Sequence, residues 1–182
     1  MQTLSNKLIT VIALLMLSGC SSTIYKYADT QALSSPLVRN HGVLITIPAD
    51  GQFKDIVYED SGLVTAEMLR KAFLQFSPRV DIAANCESTG CMEYLSGKHY
   101  RYLVVPEVVN WENRIFEWST SPDRVKIMVT TYDVLTGEKI SNGIFYGKFS
   151  SVFPLITSPF NNHKPHELLE TPSAVYVSKL YR

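Results

Sequence analysis

No charge of either sign dominates this chain. Its 182 residues carry 17 Lys and Arg against 17 Asp and Glu, for a formal net charge of +0. It has no basic block of the kind that follows a nucleic-acid backbone, and no acidic tail. Nucleic acid is therefore not an expected partner. Catalytic signatures are equally scarce. No serine sits in G-x-S-x-G, and no P-loop or G-x-G-x-x-G is present. His163-Lys164-Pro165-His166-Glu167 brings two histidines close, but H-E-x-x-H is missing and Pro165 disturbs any helical face between them. His41 and His99 are isolated. A zinc site wants four ligands, and His99 is the one histidine near the later cysteines. The expectation is a non-enzyme with no metal and no cofactor.

Long apolar runs are also lacking, with one exception. Leu8 to Leu17 is apolar except for Thr10, follows Lys7, and leads through Ser18 and Gly19 into Cys20. A positive start, a short apolar stretch and a small-residue cleavage site make a secretory signal peptide. The run is about half the 20 residues a membrane helix needs. A cysteine just after the small residues makes it a bacterial lipoprotein signal, because a thiol there can take up a diacylglycerol thioether. Residues 1–19 are expected to be removed and Cys20 to carry the lipid, palmitate among its acyl chains. Stable anchoring takes two acyl signals or more, and a processed lipoprotein cysteine normally has three. By resemblance to lipoproteins of bacteria with two membranes, Ser21 in place of Asp implies the outer membrane, with the periplasmic face preferred to the cell surface.

Removing residues 1–19 leaves 163 residues with 16 basic and 17 acidic side chains, a net charge of −1. That length suits one domain with a real core. Cysteine is rare, three in all. With Cys20 lipidated, Cys86 and Cys91 remain, and an even pair in an oxidising compartment reads as a disulfide. So small a loop adds about 2 kcal/mol by chain entropy. Two free thiols are the alternative.

Residues 20–40 have no clean period and read as the lipidated cysteine and its tether, reaching roughly 25 Å as a coil, with Tyr25 and Tyr27 able to dock on the domain. Residues 41–182 read as a single periplasmic domain. Val43–Ile47 is β-branched and apolar and ends at Pro48, the mark of a buried strand. Ser61 is expected to cap a helix to about Phe76, with Ala66, Leu69, Phe73 and Phe76 as its buried stripe. Val80–Ala83 is a short strand, and a short helix over Met92, Tyr94 and Leu95 follows. Tyr100–Val109 is a strand with an edge or bulge expected near Pro106. Arg124–Val134 alternates cleanly, Leu135-Thr136-Gly137-Glu138 is a hairpin turn, and Lys139–Ser150 returns with Gly143 and Gly147 as expected bulge points. Pro165 opens a last helix that Pro172 is expected to kink or split. The fold class is α+β, a mixed five-stranded sheet with about three helices in the order β-α-β-α-β-β-β-α.

The densest segment is Trp111-Glu112-Asn113-Arg114-Ile115-Phe116-Glu117-Trp118-Ser119, followed by Pro122-Asp123-Arg124-Val125. It holds both tryptophans and charges of both signs. Three readings stand: a strand connection covering the sheet end and held by Arg–Glu pairs; a partner or ligand surface, since Trp and Arg are enriched in hot spots; or a catalytic pair of Glu112 and Glu117, which would need a set separation across a cleft. This pattern, with Thr131-Tyr132-Asp133-Val134-Leu135-Thr136-Gly137 and the terminal Tyr176-Val177-Ser178-Lys179-Leu180-Tyr181, resembles an uncharacterised family of small Gram-negative lipoproteins catalogued as a domain of unknown function. The resemblance runs from about Val43 to Tyr181. It implies no catalytic residue, and Asn113 stands where an acidic residue is common. At fold level, the element order is similar to lipoproteins that activate peptidoglycan synthases, to the curli secretion lipoprotein and to the N-terminal domain of the Tol-Pal translocation protein. These likenesses imply an outer-membrane-anchored periplasmic adaptor or envelope-assembly accessory with an envelope protein as partner. The alternatives are a glycan-binding module using Trp111 and Trp118, or a hydrolase.

Overall fold

The computed structural model describes residues 21–29, 35–83, 86, 95, 99–112, 124–151 and 165–182. Its elements are β1 (Ser21–Asp29), β2 (Gly42–Thr46), β3 (Gln52–Phe53), β4 (Ile56–Val57), α1 (Ser61–Phe73), β5 (Val80–Ala83), β6 (Tyr100–Glu112), β7 (Arg124–Asp133), β8 (Lys139–Ser151) and α2 (Pro165–Leu180). Six strands form one mixed sheet in the order β1-β8-β7-β6-β2-β5, and β3 pairs with β4 in a separate ribbon. β2 runs parallel to both β5 and β6, while β6, β7, β8 and β1 are successively antiparallel. The split follows from connectivity. Strands joined through helices can lie parallel, and the turn at Gly137 (φ 71) forces a hairpin.

Each of the five expected strands is present, and the mixed α+β class holds. The sixth is β1. Ser21–Asp29, expected as part of the tether, pairs along its whole length with β8. β8 is longer than its hairpin needs and offers β1 an unpaired edge. Two helices lie among the described residues, against about three expected. Of the short helix expected over Met92, Tyr94 and Leu95, only the buried Leu95 is described. No helix among the described residues is long and apolar enough to cross a membrane.

One face of the sheet packs under α1 and α2. Val43, Ile45, Tyr102, Val104, Trp111, Val125, Ile127, Val129 and Phe145 meet Leu69, Phe73, Leu168, Leu169, Tyr176 and Val177 in a continuous core. Gly143 and Gly147 serve this packing and are not bulges. Both pair in register with β7, opposite Val129 and Val125. A Cβ on Gly143 would stand 2.4 Å from the Tyr176 ring, and one on Gly147 would stand 2.4 Å from the Leu168 carbonyl. Pro172 does not split α2, which runs unbroken across it. Pro172 offers no N–H to the Leu168 carbonyl.

The start of α1 also differs from expectation. Ser61 is its first residue and not its cap, and Asp60 precedes it with φ 64 and no side-chain cap bond. The capping carboxylate comes from Asp50. Its Oδ1 accepts from the Gly62 N–H at 2.8 Å and its Oδ2 from the Asp60 N–H at 3.2 Å. Ser61 Oγ instead accepts from the Gly51 N–H at 2.7 Å, stitching the loop after β2 to the helix. The expected stripe is otherwise right: Ala66, Leu69 and Phe73 are buried. Phe76 lies just past the helix, stacked on Tyr181 with ring centroids 4.6 Å apart, and the Arg39 guanidinium covers its ring at 4.9 Å.

Candidate functional site

The second face of the sheet has two halves. At one end Leu44, Leu95, Leu103 and Val134 form a small covered cluster. At the other end β6, β7 and β8 line an open depression of about 580 Å³ bounded by Asn110, Glu112, Arg124, Lys126, Tyr146 and Lys148.

A bulge in β6 decides which residues reach it. Val108 pairs with Ile127, yet the next pair is Asn110 with Lys126, so Val109 is the extra residue. One inserted residue reverses which side chains face which side. Before the bulge, Tyr102 and Val104 face the helices. After it, Trp111 takes that face, while Asn110 and Glu112 turn to the depression. The expectation of a bulge near Pro106 is met three residues further on, at Val109. β6 pairs with β2 only as far as Val104, so Pro106 lies beyond the ladder on that side.

The expected site residues therefore separate. Trp111 is 5% exposed and packs in the main core. A Cβ on Gly51 would stand 2.6 Å from the Trp111 Cβ, so the loop after β2 lies directly against it. Glu112 is 7% exposed on the other face and accepts from Asn110 Nδ2 at 3.0 Å. Arg124 is exposed and pairs in register with Glu112 on one side and Lys148 on the other. Arg114, Glu117 and Trp118 lie outside the described residues, so the Glu112–Glu117 pair does too. Lys126, Tyr146 and Lys148 are the neighbours that the sequence reading missed. Their signal was available in the alternation of β7 and β8, but only cross-strand register brings them beside Arg124.

Cys86 is buried; Cys91 and Cys20 lie outside the described residues. His41 and His99 are exposed. Among the described residues no group of three His, Cys, Asp or Glu side chains could hold a metal ion.

Two further polar clusters are structural. At the β5 edge Tyr100 donates to Asp81 Oδ2 at 2.5 Å, and Arg79 reaches the same oxygen at 3.2 Å while lying 4.6 Å over the Tyr100 ring. The Tyr100 hydroxyl, then Arg79, hold the Asp81 carboxyl below its ordinary range, while burial and then Asp81 raise the Tyr100 hydroxyl. At the hairpin, Arg101 pairs with Asp133 at 2.6 Å, and Asp133 Oδ1 accepts from the Leu135 N–H at 2.8 Å, which fixes the turn before Gly137.

Residues 35–180 match the family model described as a domain of unknown function, DUF4823. The chain belongs to the DUF4823 family. No curated protein matches it in sequence. In fold this DUF4823 chain is similar to the PelC dodecamer from Paraburkholderia phytofirmans, at 15% identity and TM-score 0.56, over 89% of this chain and 98% of that one. It is also similar to XCC0632 from Xanthomonas campestris, a DUF330 protein, at 10% identity and TM-score 0.51, over 85% of this chain and 93% of that one. Both likenesses cover nearly the whole of the solved chains, and at this identity they show a shared fold.

Proposed function

We propose that this DUF4823 protein is a lipid-anchored envelope protein that works by contact between protein surfaces, as a non-catalytic adaptor or assembly accessory at the outer membrane. The observation that carries this reading is the fold shared with 98% of a chain that assembles as a dodecamer. A domain of this architecture can act as a building part, and copies of this chain are the first partners to test. The signal ending at Cys20 supports an acylated N-terminus exported from the cytosol. In an oxidising compartment the buried Cys86 would pair with Cys91 in a disulfide.

Crosslinking in cells, followed by mass measurement of the trapped species, tests this. Discrete adducts with copies of the chain or with one envelope protein are expected, and a strictly solitary chain overturns the reading. Thiol titration without reductant is expected to find no reactive group at Cys86 or Cys91.

The glycan-binding reading loses half of its proposed platform, because Trp111 is packed in the core and offers no open ring face. Tryptophan fluorescence titrated with peptidoglycan fragments is expected to show no saturable change. The hydrolase reading has no described pair of carboxylates facing each other across a cleft.

A further inference from the structure

β1 removes the slack between the lipid position and the sheet. It begins at Ser21, the residue joined to Cys20, and pairs with β8 from Ser21↔Ser151 to Asp29↔Gly143. The open depression lies at this same end. Ile24, Lys148, Arg124 and Glu112 form one row across four strands, and Lys26, Tyr146, Lys126 and Asn110 form the next but one. At about 3.3 Å per residue, the first row crosses β1 about 13 Å along the chain from Cys20.

Three cations, Arg124, Lys126 and Lys148, line the depression against one carboxylate, Glu112. Among the described residues none of the three cations forms an ion pair. The chain as a whole is neutral, so this local excess of positive charge is a feature of the fold and not of composition. The geometry points to a membrane-docking face: Arg124, Lys126 and Lys148 contact the phosphates of anionic phospholipids in the bilayer that holds the Cys20 acyl chains. This rests on the anchor reading above. A guanidinium and two ammonium groups suit a phosphodiester. Anchoring close by makes each weak contact intramolecular, so a site too weak to recruit the domain alone still orients it.

The test is made on the full lipidated protein, reconstituted into vesicles of phosphatidylglycerol or of phosphatidylcholine and treated with a membrane-impermeant, amine-acylating reagent. Modification at Lys126 and Lys148 is expected to slow about fivefold or more in phosphatidylglycerol relative to phosphatidylcholine. Lys54 and Lys139, outside the depression, are expected to label equally in both. Salt at about 1 M, where the screening length is about 3 Å, is expected to restore labelling. Arg124→Gln is expected to weaken the protection of both lysines. Equal labelling in the two lipids overturns the proposal. So does slowing in both lipids alike, or slowing in detergent that grows with protein concentration, which would put a second copy on this face. The N-terminal peptide from the same digests separates the two readings. A bare Cys20 overturns the anchor and the docking together, whereas a lipidated Cys20 with unprotected lysines overturns the docking alone.

Discussion

The two faces of the sheet are built from the same strands and do different work. On β7, Val125, Ile127 and Val129 are fully buried under the helices, while Arg124 and Lys126 between and beside them are exposed. The helix side is tightly filled: Gly143 and Gly147 sit where any side chain would strike Tyr176 or Leu168. Among the described residues the other side is filled at one end, by Leu44, Leu95, Leu103 and Val134, and open at the end where β1 begins. The filled face supplies stability, and the open end carries the proposed docking site. Neighbouring residues on one strand therefore differ severalfold in what their loss should cost.

The largest expected effect breaks the comparison where the two faces meet. Trp111→Ala should destabilise the fold by about 3–5 kcal/mol, as for other buried aromatics, read as a fall in the denaturant midpoint. A change within experimental error would return Trp111 to the surface. Gly143→Ala should cost about 1–3 kcal/mol through overpacking against Tyr176, and a smaller partner at 176 should recover part of it. Asp50→Ala should cost about 1 kcal/mol, because it uncaps α1, with the loss seen first as faster hydrogen exchange at Gly62.

Acid sharpens the comparison at the β5 edge. The Asp81 carboxyl is held below its ordinary value in the fold by the Tyr100 hydroxyl and Arg79. Its contribution is therefore present above the unfolded value, near pH 4, and is lost as pH falls through the folded one. Tyr100→Phe should move the folded value upward, so that less stability is lost on acidification; an unchanged acid limb in thermal melts would contradict this. The smallest stability effect belongs to the open end. Lys126→Gln and Lys148→Gln should change stability by less than about 0.5 kcal/mol, and a larger loss would show that this end is also part of the packed structure.

Much of the fold was legible in the sequence because periodicity reports burial directly. Val125, Ile127 and Val129 alternate, Ala66, Leu69 and Phe73 recur at helical spacing, and Thr136-Gly137 marks its turn. The misreadings share one cause. Gly143 and Gly147 read as bulges because a glycine in a strand has two explanations, and only the position of α2 selects between them. Ser61 read as a cap because it stands where caps stand, while the carboxylate that reaches the helix comes from Asp50, eleven residues earlier. The tether reading of residues 21–29 lacked the open edge of β8 that gives them a partner. The site was legible in part. Arg124 stood out in its segment, but Trp111 and Glu112 looked like members of one surface.

The sequence alone determined five of the six strands of the mixed sheet, the two helices, the apolar faces they bury, and the signal pattern that leads to Cys20, because local pattern and covalent order carry that information. Tertiary structure alone decided the charge of the open end. One extra residue, Val109, turns Trp111 inward and Glu112 outward, and strand register then lays Arg124, Lys126 and Lys148 side by side. Register couples residues distant along the chain, and no local window of the sequence contains it.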